Sequence, residues 1–315
     1  MTGSLARRLA AVFGERVWLD EPLAPYTTYR IGGPADALVE PRAIDEVVRT
    51  LAIAREAGVP WLALGLGSNI LVSDQGFRGV VIRLGKGLAE IRQDGPCWRV
   101  GAGTPTPLLA RRSAAAGLAG VHRLVGVPGT VGGGVYMNAG AHGQEFRQVV
   151  RQVDVVTAAG ALERRSGGAI AWQYRSSGLA DVVVVSAELE LQPGDPDRLE
   201  QEVAEHLRWR KAGTPFNEPC CGSVFRNPTG PLPMGAGQGG RAGGLRTAGQ
   251  MIDAVGMKRF RIGGAEVSQL HANYIVNTGG ATARDVLGVI AAVRKRVAAE
   301  FGVELELEVK LIGEL

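Results

Sequence analysis

The chain has 315 residues, 35 basic against 31 acidic side chains, and a formal charge of +4. That length can bury more than one core, the basic excess is too slight and too scattered to mark a nucleic-acid binder, and no run of eighteen apolar residues offers a membrane span. Three cysteines, two of them adjacent, give no disulfide framework and fit a reducing compartment, so a cytoplasmic protein is expected. The N-terminal stretch "MTGSLARRLAAVFGERVW" lacks both the apolar segment and the cleavage site of a secretory leader. Glycine is the outlier at 46 residues, about twice the ~7% of ordinary usage. Its clusters lie between apolar runs, where a backbone turns tightly or approaches a ligand; a biased base composition would produce the same count.

After an arm with Pro22 and Pro25, "YTTYRIGGPADALVEP" reads as two strands around a Gly-Gly turn. Residues 43–57 are expected to form a helix with Ile44, Val47, Val48, Leu51 and Ala54 on one side and Gly58 as its stop. Short strands in "VPWLALG", "ILVSD" and "GVVIRL" follow, which gives the first 85 or so residues a βαβ flavour. "CWRVGAG" predicts a strand and "TPTPLLARRSAAAGL" a helix with prolines near its start. A long turn-rich segment, "GVHRLVGVPGTVGGGVYMNAGAHG", separates these from strands expected at 149–156, 169–174 and 181–191. A charged helix over 198–211 leads into a further domain. Between Thr229 and Thr247, "TGPLPMGAGQGGRAGGLRT" is too rich in glycine and proline to pack regularly, and a mobile loop is expected there. The last helix is expected over 283–301, with Thr282 as N-cap and Asp285 completing an imperfect capping box. "VELELEVKL" then alternates as a strand, with Glu304, Glu306 and Glu308 on its polar face.

Several places suit chemistry, and each has a plain structural reading beside it. In "LGLGSNILV", Gly65, Gly67, Ser68 and Asn69 follow a strand and can turn N–H groups toward a phosphate, or simply end the strand. Leu71 or Ile70 stands where a dinucleotide fingerprint needs its third glycine. In "GVPGTVGGGVYMNAGAHG", Gly126, Gly129, Gly132, Gly133 and Gly134 sit among apolar residues, as if packed against a flat cofactor or as a buried structural turn. His122, His142, His206 and His271 are isolated, so no metal is expected. Ser223 in "CGSVF" is followed by Phe225 where a nucleophile elbow needs glycine. Tyr174, Arg175, Asn227 and Glu308 are polar residues in apolar or glycine-rich surroundings, and each also reads as an ordinary surface or turn residue.

Taken in order, "YTTYRIGGPAD", "LGLGSNILVSD", "GVPGTVGGGVYMNAGAHG", "YRSSG", "CGSVFRNP", "AGQMIDAVGMK", "GGAEVSQLHANYIVN" and "FGVELELEVKLIG" resemble the successive motifs of the UDP-N-acetylenolpyruvoylglucosamine reductase family, from about residue 22 to 313. The resemblance implies an α+β fold: a vanillyl-alcohol-oxidase-like, two-lobed FAD-binding portion plus a separate α+β substrate-binding domain. It implies lobes at 1–84 and 85–205, a substrate domain at 206–301 with a flexible loop at 229–247, and a C-terminal strand at 302–315 carrying Glu308. It further implies non-covalent FAD, NADPH as reductant, and UDP-N-acetylglucosamine enolpyruvate as the substrate reduced to UDP-N-acetylmuramate for peptidoglycan. No nucleic acid, membrane insertion or obligate protein partner is implied.

Carried onto this sequence, the FAD contacts would be Thr28, Arg30, Gly65, Gly67, Ser68, Asn69, Gly126, Pro128, Gly129, Thr130, Gly132 and Gly133. Hydride would reach C3 of the enolpyruvyl group, Arg175 would offset the developing charge, Ser223 would protonate C2, and Glu308 would assist polarisation. Tyr174, Lys211 and Asn227 would contact substrate. The sequence departs from the family pattern in the glycine-rich run 231–245 and in Arg226, which stands where lysine is common. It has no tyrosine-bearing lid after "YRSSG", which resembles the second, lidless type. Two rival readings are a flavin oxidase with its cofactor tethered through His122 and a non-enzymatic nucleotide binder on the same scaffold.

Overall fold

A computed structural model describes residues 3–229 and 247–315. The loop expected over 229–247 therefore lies outside the described residues, apart from its two ends. The chain forms two compact units. One comprises the N-terminal stretch to Glu21, Ala35–Leu66 and Arg78–Arg210; the other comprises Pro22–Pro34, Gly67–Phe77 and the chain from Lys211 onward. They are not consecutive blocks, because 22–34 and 67–77 are held by the C-terminal part of the chain. Lys310–Ile312 pairs in parallel with Ile70–Val72, and Gly33 N–H donates to the Ser73 carbonyl at 2.8 Å.

The first unit begins with helix α1 (Gly3–Phe13), which buries Leu5, Leu9 and Phe13. A four-stranded sheet runs in the order Val17–Pro22, Pro34–Val39, Phe77–Arg83, Trp61–Leu64. Helix α2 (Ile44–Glu56) buries Val47, Leu51, Ile53 and Ala54, the stripe its spacing dictates. A five-stranded antiparallel sheet follows the order Leu162–Ser166, Val150–Thr157, Val182–Glu190, Cys97–Gly101, Ile91–Asp94. Its central strand reads as a run of valines and is buried from Val182 through Ala187, as a strand covered on both faces must be. Helix α3 (Thr106–Ala115) carries Ala110 and Ala114 into a small cluster with Val125, Leu199 and Val203.

Two expectations in this unit need correcting. There is no strand at 169–174: Gly167–Ala169 is a 3-10 turn, and Gln173 and Ser176 close a tight turn on each other. The strand is instead Leu162–Ser166, an edge of the sheet whose Glu163, Arg164 and Arg165 show none of the apolar alternation that marks a half-buried strand. The glycine-rich segment is also not all turn. Val131–Tyr136 is a short helix, α4, despite three glycines, because Val131 and Gly132 donate to the carbonyls of Thr104 and Ala102 at 2.8 and 2.9 Å.

Helix α5 (Pro196–Gly213) reaches the boundary between the units. The second unit packs helices α6 (Ala248–Ala254) and α7 (Ala283–Phe301) with a small antiparallel sheet of Arg261–Ile262, Ala265–Val267 and Ile275–Asn277. Helix α7 buries Val286, Val289, Ile290, Val293, Val297 and Phe301 along one face. Its capping box is complete: Asp285 N–H donates to Thr282 Oγ1 and Thr282 N–H donates to Asp285 Oδ2, both at 3.0 Å.

"YTTYRI" is not a strand either. Ala24–Tyr26 is a 3-10 turn and Arg30 has φ of 58°, so the chain coils to bury Tyr29 and Ile31. At the C-terminus the expected strand is reduced to Lys310–Ile312, preceded by a single bridge between Phe225 and Leu307. Leu305 and Val309 are buried as the alternation requires, but their neighbour, the chain around 223–227, is irregular and offers no continuous ladder.

Candidate active site

In the second unit Ser223 sits half-buried between two anchored flanks. On one side Asn273, itself 4% exposed, clamps the next two residues. Its carbonyl accepts from Val224 N–H at 2.9 Å, its Oδ1 accepts from Phe225 N–H at 2.9 Å, and its Nδ2 donates to the Phe225 carbonyl at 2.8 Å. On the other side Glu308 N–H donates to the Val224 carbonyl at 2.8 Å and Arg226 N–H to the Glu306 carbonyl at 2.9 Å. The C-terminal stretch is thereby laid along the residues that follow Ser223.

Two more distant motifs join this cluster. Asn69 Nδ2 donates to the Glu308 carbonyl at 3.1 Å, and Lys310 N–H donates to the Asn69 carbonyl at 3.0 Å. Thr28 Oγ1 lies 2.7 Å from the Cys220 carbonyl and 3.3 Å from that of Gly67. Its hydroxyl thus ties the "GSN" turn to the "CCGS" turn, while the Arg30 side of that arm is exposed. Cys221 does no chemistry of its own. Burial pushes the Cys221 thiol well above its ordinary value, and the charges of Cys220 and Glu308 push it further, so it stays protonated and inert. The phenol of the fully buried Tyr29, against Cys221, is raised in the same way by burial.

In the first unit Arg175 occupies the tip of the Gln173–Ser176 turn with φ of 57°, a conformation that ordinary side chains adopt at a cost. Its guanidinium lies over the Tyr174 ring at 4.8 Å and donates through Nη2 to the Gly140 carbonyl at 3.1 Å. The two glycine loops also meet here. A Cβ on Gly65 would stand 2.5 Å from Thr130 Oγ1, so only glycine lets the strand-ending turn approach the start of α4 so closely.

These loops fit a flat phosphate-bearing cofactor. Gly133 is exposed, and a Cβ built there would meet nothing nearer than Thr130 Oγ1 at 3.9 Å. Beside the turn, the buried hydroxyls of Thr104 and Thr106 have no hydrogen-bond partner among the described residues. A Cβ built on Gly126 would stand 3.4 Å from the Arg210 stem; Gly129 and Gly132 are buried, whereas Pro128 is exposed.

The other expected contacts are more scattered. Lys211 is exposed, with its ammonium 5.7 Å from the Phe216 ring centroid. Asn227 Oδ1 accepts the first N–H of α6, from Ala248, at 3.1 Å, which leaves its amide group to donate. His122 has both ring nitrogens engaged: Nδ1 accepts from Gly120 N–H at 3.3 Å and Nε2 lies 3.1 Å from Glu202. Among the described residues no three His, Cys, Asp or Glu side chains form a metal site. Asn273 and Asn138 were missed in the sequence, since a lone asparagine carries no local signal until its backbone partners are known.

Residues 35–166 match the family model described as FAD binding domain, and residues 214–312 match that described as UDP-N-acetylenolpyruvoylglucosamine reductase, C-terminal domain. The class is therefore an FAD-binding oxidoreductase of α+β architecture. The chain is 44% identical over 298 residues to the UDP-N-acetylenolpyruvoylglucosamine reductase of Rubrobacter xylanophilus, covering 94% of this chain and 95% of that one. It is 40% identical over 301 residues to reductase 1 of Bacillus thuringiensis, covering 95% of each. The crystal structure of the Thermus caldophilus reductase superposes with a TM-score of 0.77 at 34% identity, over 94% of this chain and 98% of that one. The chain belongs to the UDP-N-acetylenolpyruvoylglucosamine reductase family.

Proposed function

We propose that this chain reduces UDP-N-acetylglucosamine enolpyruvate to UDP-N-acetylmuramate, a peptidoglycan precursor, with FAD held non-covalently and NADPH as reductant. When bound, the flavin relays two electrons from NADPH to the enolpyruvyl double bond. In the first unit it would be held by Gly65, Gly126, Pro128, Gly129, Thr130, Gly132 and Gly133; in the second, Thr28, Arg30, Gly67, Ser68 and Asn69 would contribute.

The chain's own residues handle charge and protons. Arg175 offsets the negative charge that develops on the enolpyruvyl carboxylate, an effect that is strong when the donor is fixed before reaction. Ser223 gives its hydroxyl proton to C2 and is reprotonated from solvent. A serine is a weak acid in water, so this role depends on a fixed position facing a strongly basic carbon. Glu308 polarises the same carboxylate end as a protonated acid or through a shared hydrogen bond. Tyr174, Lys211 and the side-chain amide of Asn227 contact substrate.

The observation that carries the reading is the pairing of Glu308 N–H with the Val224 carbonyl at 2.8 Å, which brings the last motif of the chain beside the serine. The engagement of both His122 nitrogens favours untethered flavin over a covalently flavinylated oxidase. We place the reaction in the cytoplasm: none of Cys97, Cys220 and Cys221 is in a disulfide, and no helix among the described residues is long and apolar enough to cross a membrane. Denatured protein should release free FAD, and NADPH oxidation by the holoprotein should require the enolpyruvyl substrate. Flavin that stays with the polypeptide, or NADPH oxidation indifferent to substrate, would refute the assignment.

A further inference from the structure

We propose that Asn138 is the positioning residue for Arg175, coupling the end of the glycine-rich helix α4 to the turn that presents the guanidinium. The proposal rests on the reading that Arg175 acts on the substrate's developing charge. Asn138 is wholly buried, with φ of 42°, and makes three hydrogen bonds. Its Nδ2 donates to the Gln173 carbonyl at 3.0 Å and to Glu145 Oε2 at 3.2 Å, and its Oδ1 accepts from Arg147 N–H at 3.1 Å.

Gln173 opens the tight turn whose tip is Arg175: its N–H donates to the Ser176 carbonyl at 2.8 Å and its carbonyl accepts from Ser176 N–H at 3.2 Å. The last residue of α4 and the four that follow it therefore hold this turn at three points. The Tyr136 carbonyl accepts from Ser177 Oγ at 2.8 Å, Asn138 holds Gln173, and the Gly140 carbonyl holds the Arg175 guanidinium at 3.1 Å. Gly140 leaves no slack, since a Cβ there would fall 2.6 Å from Glu145 Cγ and 3.3 Å from Arg175 Nη1. Asn138 is the middle tie and the one of the three made by a side chain of the 136–140 segment. Without it, a turn whose tip residue has positive φ loses the contact that fixes its base, and the guanidinium is free to swing from its set direction.

The test compares half-reactions of the FAD-loaded protein in a double-mutant cycle. Asn138→Ala should leave NADPH reduction of the flavin within about twofold of wild type while slowing reoxidation by UDP-N-acetylglucosamine enolpyruvate by ~10- to 100-fold, the scale of a small misplacement of a charged group. In an Arg175→Ala background the same change should add less than about twofold, because its action passes through the guanidinium. Hydrogen exchange over 173–177 should rise in Asn138→Ala without cofactor or substrate. If that variant does not fold, Asn138→Asp, which keeps the acceptor for Arg147 N–H but removes the donor to the Gln173 carbonyl, should give the same split. An equal slowing in the Arg175→Ala background, equal loss of both half-reactions, or unchanged exchange over 173–177 overturns the proposal. Were Arg175→Ala itself to leave reoxidation unchanged, the role of Arg175 would fall and the proposal with it. A slow Arg175→Ala beside a fast Asn138→Ala would reject only the positioning role.

Discussion

Ser223 has no local mark of function: its neighbours form no elbow motif and its side chain is half-buried like many turn serines. What separates it from Cys220 and Cys221 is environment, since burial keeps the Cys221 thiol protonated while the serine lies on a backbone fixed from both sides. Ser223→Ala should leave NADPH reduction of the flavin within about twofold and slow substrate-driven reoxidation by at least ~100-fold, the weight of a positioned proton donor. Equal loss in both half-reactions, followed by stopped-flow absorbance, would make the serine structural. Asn273 tests the frame beneath it. Asn273→Ala strands the buried N–H and carbonyl of Phe225, each worth ~1–3 kcal/mol when left unpaired, so its urea midpoint should fall clearly; an unchanged midpoint would show that the clamp is dispensable. The roles proposed for Arg175, Ser223 and Glu308 come only from the order of motifs along the whole chain. Asn273 and Asn138 were not legible at all, because their partners are backbone groups far away in sequence.

Elements were readable where local chemistry sets their ends. Helix α7 occupies the expected residues because Thr282 and Asp285 cap each other and Gly302 ends it with φ of 65°. Thr282→Ala should cost about 1 kcal/mol, measured by urea unfolding; a cost near zero would mean that Asp74, which accepts the N–H groups of Ala283 and Arg284 at 2.7 and 3.1 Å, caps the helix alone. Elements were unreadable where tertiary pairing decides, as at the polar edge strand Leu162–Ser166 and the broken C-terminal strand. A pH response follows from α5 and the segments that flank α4. His142 and His206 stack with centroids 3.9 Å apart beside Trp209. Burial holds both below the ordinary histidine value. His142 is lowered further by His206, Arg123 and Arg210, and His206 by Arg123 against Glu202 and Glu205. Nearby His122 is lowered by burial against Glu202. The unfolded chain therefore takes up protons at higher pH than the folded one. This contribution is full above the unfolded value of about 6.5 and is lost as pH falls through it toward the folded values. The melting temperature should drop between about pH 7.5 and pH 5.5, and His206→Gln should flatten that slope. An unchanged slope in His206→Gln would place the acid sensitivity elsewhere.

At the scale of the molecule, chain length allowed more than one core, and the α+β fold was implied by the resemblance of the ordered motifs rather than by composition or periodicity. The interleaving of the units was not legible, because it depends on Lys310–Ile312 finding Ile70–Val72 across most of the chain, a parallel pairing no local pattern announces. The same long-range pairing places Glu308 against Asn69 and Val224, so the site in the second unit and its topology have one origin. The most direct test of the assigned reaction is an anaerobic single turnover of NADPH-reduced protein in deuterium oxide. Added UDP-N-acetylglucosamine enolpyruvate should restore the oxidised flavin spectrum in proportion to substrate and yield UDP-N-acetylmuramate with deuterium at C2, as expected of a proton drawn through an exchangeable serine hydroxyl. A protein that carries no flavin, or a reduced flavin that the substrate does not reoxidise, would contradict it.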